Sequence, residues 1–185
     1  MSYQLSTLIP ISDLTLTDRS NLRKQAIERG IARAVVTKVI AREDEAKVRH
    51  LQNIVDIPLI VLDQWNTNPL VGPLGTVQSV FQAVAAPQLA NNRLAVFYKV
   101  AVTTAPIPVS TLAFREGAAA GTTYAIFDLE QLDGCLEPIG YFSEPVVYDP
   151  LRVMNIVATC RIITNLPARV ILGCYIIEPG GPTIS

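Results

Sequence analysis

The chain has 185 residues, of which 17% are charged and 50% are apolar, and its formal net charge at pH 7 is −1. Soluble domains usually carry about 25% charged residues, so this chain is short of charge, and its mean hydropathy is +0.34. The near-neutral charge excludes a globally basic nucleic-acid-binding protein, and no apolar stretch reaches the ~18 residues that span a membrane. The N-terminus lacks a basic segment followed by a continuous apolar one, so we expect no signal peptide and assembly in a cytoplasm.

The first third of the chain predicts a helix with a basic surface. Thr17 or Asp18 can cap it. Its apolar residues recur at the three- and four-residue spacing of one helical face, and they are Leu22, Ala26, Ile27, Ile31, Ala34, Val35 and Val39. Arg19 and Arg23 could meet an acidic partner or phosphate groups, although the acids among them favour a solvated face.

Residues 42–55 predict a second helical piece. Glu43 and Lys47, and likewise Glu45 and Arg49, are four residues apart, which suits helical ion pairs. We therefore assign residues 1–55 to an N-terminal arm and helical segment.

From residue 56 onwards the pattern changes from helix to strand. Residues 56–91 are rich in proline and glycine among apolar residues, and we interpret them as a linker or edge region. Six runs rich in β-branched and aromatic residues follow, separated by turn-forming clusters; they are residues 93–102, 109–116, 123–132, 139–148, 152–164 and 168–178. With residues 76–85 and part of 57–62 they predict seven or eight strands. The predicted fold is mainly β, an antiparallel β-sandwich or jelly-roll-like body over residues 92–185 with an N-terminal α-helical segment.

The final predicted strand is apolar on both of its faces. Val170, Leu172, Cys174 and Ile176 share one parity, and Ile171, Gly173, Tyr175 and Ile177 share the other. Such a strand needs cover on both faces. One face can meet the core, and the other needs a neighbouring subunit or the helical segment. We expect a homo-oligomer, a trimer or larger, with a monomer covered by its own helix as the alternative.

No motif of the sequence is a catalytic signature. His50 is the one histidine and has no partner nearby in sequence. Asp128, Glu130 and Asp133 could hold Ca²⁺ or serve glycoside hydrolysis if they cluster, but the alternation favours a solvated strand face and a turn. We expect no catalytic residue, no metal and no cofactor.

The aromatic residues and cysteines also favour structural roles. Trp65 and Tyr98 are interpreted as single aromatics rather than a stacking platform. Three cysteines, Cys135, Cys160 and Cys174, match no zinc pattern or secreted disulfide framework. A bridge between Cys160 and Cys174 is conceivable, but two buried thiols are favoured.

The order of elements, and endings such as "GYFSEPVVYDP" and "CYIIEPGG", resemble small structural proteins of bacteriophages and related viruses. These include capsid decoration or cement proteins and small jelly-roll capsid proteins. The resemblance covers roughly residues 94–185, and it implies a non-enzymatic virion component present in many copies.

We therefore predict a virion structural protein that assembles with itself and with a major shell protein to build or reinforce a capsid. Neither a membrane nor nucleic acid is an expected partner. The alternative is a phage tail or surface binding module that recognises a glycan or a protein receptor through loops at residues 114–124 and 129–140. The residues predicted to make contacts are Arg19, Arg23, Ile27, Val170, Ile171, Leu172, Tyr175, Ile177 and Glu178.

Overall fold

The structure is a computed structural model, and it describes residues 5–51, 75–80, 88–103, 106–117, 121–161 and 170–180. Helix α1 spans Leu16–Val36, and short 3₁₀ turns lie at Ile11–Asp13, Glu43–Glu45 and Glu130–Leu132. The strands are β1 Leu5–Ser6, β2 Leu8–Pro10, β3 Ala46–His50, β4 Val77–Ser79, β5 Leu94–Val102, β6 Val109–Glu116, β7 Thr122–Asp128, β8 Ile139–Tyr148, β9 Met154–Cys160 and β10 Val170–Pro179.

Strands β3 to β10 pair in the pattern of a jelly roll. β3 pairs with β10, β4 with β9, β5 with β8, and β6 with β7, so the first strand meets the last and the pairing proceeds inwards. β5 also pairs with β10, and β6 with β9. Within the described residues this gives sheet I, in the order β1–β7–β6–β9–β4, and sheet II, in the order β2–β8–β5–β10–β3. Eight strands in two such sheets form a jelly roll, and the predicted fold class is confirmed.

The core lies between the two sheets and is rich in aromatic rings. Phe114 makes edge-on contacts with Phe127 and Phe142, which stack on each other with their centroids 4.0 Å apart. Cys160 on sheet I and Cys174 on sheet II are free, buried thiols within this core. The favoured interpretation of these two cysteines as buried thiols is confirmed.

The N-terminal arm joins the two sheets on one side of the roll. β1 lies parallel to β7 in sheet I, and β2 lies antiparallel to β8 in sheet II. Leu8 is buried and lies against Gly140, where a Cβ atom would approach the Leu8 side chain to 2.7 Å. Gly140 therefore leaves the space that Leu8 occupies. Residues of the predicted N-terminal segment and of the predicted linker thus belong to both sheets, since they supply β1 to β4.

The N-cap of helix α1 lies two or three residues earlier than predicted, and the helix packs on the outer face of sheet II. Its N-cap is Thr15, whose hydroxyl accepts from the Asp18 amide at 3.2 Å, while Asp18 accepts from the Thr15 amide at 3.0 Å. The predicted cap was wrong because this reciprocal pair satisfies two backbone donors. Gly30 is buried in the interface, where a Cβ atom would lie 2.6 Å from Val96 and would also overlap Ile177. Glycine here lets the helix approach the sheet closely.

The predicted second helix is wrong. Glu43–Glu45 is a 3₁₀ turn, and Ala46–His50 is strand β3 at the edge of sheet II. Lys47 and Arg49 therefore share one face of a strand, and they meet Glu178 of β10 instead of Glu43 and Glu45. Tertiary pairing with β10 outweighs the local helical ion pairs, which are worth only about 0.2–0.5 kcal/mol each. Residues 52–55 lie outside the described residues.

The six predicted runs from residue 93 onwards correspond to strands β5 to β10. The run at residues 123–132 ends as a strand at Asp128 and continues as a 3₁₀ turn. β4 covers Val77–Ser79 of the predicted run at 76–85. Residues 57–62, Trp65 and residues 162–169, for which predictions were made, lie outside the described residues.

Candidate functional site

Three of the residues predicted to make contacts are buried inside the chain. Val170 and Leu172 lie in the core between the sheets, and Ile177 is fully buried under α1 beside Gly30. These side chains offer no surface to another molecule, so the prediction has to be corrected for them. At Ile177, the chain's own helix α1 covers the strand. The sequence had left this cover by the helical segment open as the alternative to a neighbouring subunit.

The other predicted contact residues stay at least partly exposed. Ile171, Tyr175 and Glu178 are half-buried on β10. On α1, Arg23 is exposed, and Arg19 and Ile27 are half-buried. The Arg19 guanidinium donates to the Ile11 carbonyl at 3.0 Å, so it helps to fix the arm to the helix.

Four aromatic rings cross sheet II side by side, one from each of four neighbouring strands. In strand order they are His50 on β3, Tyr175 on β10, Tyr98 on β5 and Tyr141 on β8. Tyr98 and Tyr175 stack at 4.7 Å with planes 10° apart, and His50 lies 5.1 Å from Tyr175. Tyr141 lies 6.1 Å from Tyr98. We call these four residues the ring row; the interpretation of Tyr98 as a single aromatic is wrong.

A β-bulge at Tyr98 places a lysine beside the ring row. Phe97 pairs with Cys174 and Lys99 pairs with Gly173, which leaves Tyr98 as an extra residue of β5. Phe97 and Val100 face the core, and Tyr98 faces α1. The bulge breaks the alternation, so Lys99 lies on the same outer face as Tyr98. Its aliphatic stem covers Gly173, and its ammonium lies 5.8 Å from the Tyr98 ring centroid.

Two cations flank the ring row. Arg23 donates to the Tyr141 hydroxyl at 3.1 Å, and this hydrogen bond raises the pKa of Arg23. Burial lowers the pKa of Lys99, and the charge of Arg23 lowers it further. Burial is also the main cause of the raised pKa of Tyr98. Within the described part of the chain, neither Arg23 nor Lys99 forms an ion pair with a carboxylate, so this part of the surface carries uncompensated positive charge.

An apolar row continues the same face of sheet II past Lys99. Ile139, Ala101 and Ile171 are register partners across β8, β5 and β10. All three are half-buried. We call Ile139, Ala101 and Ile171 the contact face; Lys99 and Tyr175 lie beside it.

At the other end of β10, Glu178 is the centre of a compact ion cluster. It accepts from Arg49 at 2.9 and 3.0 Å, and it lies 3.2 Å from Arg93 and 3.5 Å from Lys47. The hydrogen bond from Arg49 is the main cause of its lowered pKa. This predicted contact residue therefore joins β3 to β10 within the chain.

A groove of about 580 Å³ lies where α1 passes the edge of β8. Its residues include Arg29, Arg33, Glu144, Tyr124 and Asp149. Arg33 forms a bidentate pair with Asp149 at 2.7 and 2.9 Å. Tyr124 is 43% exposed, and burial together with its hydrogen bond to Glu116 raises its pKa to about 12.

The acids singled out in the sequence do not form a cation site. Asp128 is the last residue of β7, and its carboxylate accepts from the Glu130 amide at 2.8 Å, whereas Glu130 itself lies in the 3₁₀ turn. Arg161 pairs with Glu130 and with Asp133. The two acids therefore do not share a strand face as predicted, and across the described ranges no three metal-ligating side chains converge.

The chain matches no protein-family model. No curated protein and no solved structure matches it either. In the part of the chain that is described, no helix has the length and apolarity that a membrane crossing requires.

Sequence reasoning missed the ring row because its members come from four separate strands. The signal in the sequence was a tyrosine followed by a lysine, Tyr98 and Lys99, in the middle of an otherwise apolar strand. Two consecutive large polar-tipped residues there are consistent with a bulge, but the partners are set by the register of β5 with both β8 and β10.

Proposed function

We propose that the chain is a non-enzymatic structural component of a virion, which assembles with itself and with a shell protein to build or reinforce a capsid. The observation that carries the proposal is the jelly-roll pairing of β3 to β10. This fold is used by viral capsid proteins, and also by lectin domains and cupins. Since one fold serves several functions, the resemblance of residues 94–185 to small virion proteins is the second support.

The contact face is the surface that we assign to self-association. It is a half-buried apolar row with the Tyr175 ring beside it, and apolar and aromatic groups are typical of the buried centre of protein interfaces. It retains one of the predicted contact residues, Ile171, and two others, Tyr175 and Arg23, lie at the neighbouring ring row. Fewer residues of the last strand are available for self-association than the sequence indicated, because Val170, Leu172 and Ile177 are covered within the chain.

The test is the mass in solution at low micromolar concentration, measured by light scattering for the wild-type chain, Ile171→Asp and Ile126→Asp. Ile126 is a matched control because it is a half-buried isoleucine on sheet I, away from the contact face. We expect a trimer or larger for the wild type and the control, and a smaller species for Ile171→Asp with an unchanged circular dichroism spectrum. A monomeric wild type, or an equal effect of both substitutions, contradicts self-association through this face.

The groove beside α1 supports a second candidate, a phage tail or surface module that binds a glycan. Its volume suits a small ligand, and the exposed ring of Tyr124 stands at its side with Arg33 and Asp149. Tyr124 is also the last residue of segment 114–124, which the sequence assigned to a binding loop; the structure places Tyr124 in β7 and the start of the segment in β6. If this candidate is right, a glycan array gives hits that Tyr124→Ala removes; the capsid proposal predicts no hits.

A further inference from the structure

Among the residues that the structure describes, no carboxylate forms an ion pair with either cation beside the ring row. Arg23 donates to the Tyr141 hydroxyl at 3.1 Å, and Tyr141 on β8 is the register partner of Lys99 on β5. The Lys99 ammonium lies 5.8 Å from the centroid of the Tyr98 ring. In the described part of the chain, the titratable groups of the ring row and its flanking cations are Arg23 on α1, Tyr98 and Lys99 on β5, Tyr141 on β8, Tyr175 on β10 and His50 on β3. None of these is a carboxylate.

Like charges held together without a counterion cost free energy unless an anion joins them. The positions are built rather than accidental, since the bulge at Tyr98 turns Lys99 to this face and Gly173 leaves room for its stem. Arginine and lysine with hydroxyl groups nearby are the donors that proteins use for phosphate oxygens.

We propose that Arg23 and Lys99, on the ring row, bind a tetrahedral oxyanion of the phosphate class. The anion lies between the guanidinium and the ammonium, and the partly exposed rings of Tyr175 and His50 form one side of the site. Such a group comes either as free phosphate or on a nucleoside monophosphate, whose base can stack on an exposed ring. This inference does not depend on the proposed virion function, because the site is complete within one chain.

The experiment is isothermal titration calorimetry of the full chain at pH 7 and constant ionic strength, with inorganic phosphate in one arm and adenosine monophosphate in the other. The variants are Arg23→Met, Lys99→Met and Lys99→Arg. Lys24→Met is the matched control, because Lys24 is an exposed cation on the same helix that pairs with Glu28. Methionine at residue 99 keeps an unbranched stem over Gly173, and circular dichroism checks that each variant is folded.

We expect phosphate to bind the wild type, with about tenfold weaker binding in Arg23→Met and in Lys99→Met. Lys99→Arg and Lys24→Met should stay within about threefold of the wild type. If adenosine monophosphate binds more tightly than phosphate, and His50→Ala removes this difference, the natural ligand is a nucleotide. If the two ligands bind equally well, the natural ligand is free phosphate. The proposal is overturned if neither ligand binds, or if Lys24→Met weakens binding as much as Lys99→Met, which is a general charge effect.

Discussion

The outer face of sheet II has two parts that differ in what covers them. Under α1, Val96 and Ile177 are fully buried against Gly30. Past the helix, Ile171 and Ala101 are half-buried and lie beside Lys99, which forms no ion pair within the described ranges. The same strand, β10, runs through both parts. What covers an apolar strand therefore has to be determined for each residue. In β10, helix α1 of the same chain covers one part, while another part stays available to a partner.

The largest expected difference between the two parts comes from placing the same charge in each of them. Ile177→Asp buries an unpaired carboxylate under α1, and we expect a loss of more than about 4 kcal/mol in the free energy of unfolding. Ile171→Asp can keep its carboxylate in water and should cost less than about 1 kcal/mol. Urea denaturation followed by circular dichroism measures both. Equal losses would mean that the two positions are covered alike.

Glu178 offers the next test, because it ties the edge strand β3 to the strand that both parts share. In Glu178→Gln, Lys47, Arg49 and Arg93 lose their common carboxylate, and we expect a loss of about 1–3 kcal/mol at pH 7. The folded-state pKa of Glu178 is below its ordinary value of 4.5, so its contribution is present above that pH. It is lost as the pH falls through the lower, folded value.

Urea midpoints between pH 7 and pH 3 measure this dependence. The wild type should lose more stability than Glu178→Gln over the acid part of this range. Glu144→Gln is the matched control, because its pair with Arg29 is exposed to solvent and should contribute little. Parallel curves for the wild type and Glu178→Gln would contradict the role of the cluster.

Gly30 tests how tightly the helix covers its part of the sheet. Alanine improves the helix propensity by about 1 kcal/mol but overpacks the contact with Val96 and Ile177, which typically costs about 1–3 kcal/mol. We expect a net loss of about 1 kcal/mol in Gly30→Ala, measured by thermal and urea unfolding. Ala32→Gly, at an exposed position of the same helix, should lose about 1 kcal/mol from propensity alone. A stabilised Gly30→Ala would show that the helix lies farther from the sheet.

The smallest effect is expected at Lys99. Its folded-state pKa is lowered, so the unfolded chain binds the proton more tightly, and stability rises as the pH increases through the folded value. Lys99→Met removes this dependence and should raise stability at pH 7 by less than about 1 kcal/mol, since the partly exposed ammonium is screened by solvent. The difference between wild-type and variant urea midpoints from pH 7 to pH 10 measures it; a constant difference would contradict the electrostatic cause.

The sequence was informative where one segment carries its own pattern. The strands from β5 to β10 were predicted from their β-branched and aromatic residues, and the apolar face of α1 was predicted from periodicity. The turn clusters between the strands indicated the sandwich. The prediction of a second helix failed because Lys47 and Arg49 fit two patterns. They lie four residues after Glu43 and Glu45, as in a helix, and two residues apart from each other, as on one face of a strand. The choice depended on Glu178, a distant partner on β10.

The site was less predictable than the fold for the same physical reason. Tyr98 appears isolated in the sequence, and only the register of β5 with β10 brings it onto Tyr175. Whether Ile171 or Ile177 is covered depends on where α1 crosses the sheet. The close approach at Gly30 fixes that crossing, and sequence periodicity does not reveal it.

The first-to-last pairing of the roll has a consequence for synthesis on the ribosome. β3 leaves the ribosome early, but its partner β10 is the last strand of the roll. Helix α1 is likewise synthesised before β5, β8 and β10, the three strands against which it packs. Such long-range contacts slow folding and prolong the exposure of apolar surface. A nascent chain stalled before Val170 therefore presents the apolar face of α1 and an unpaired β3 together, a combination that chaperones and proteases recognise.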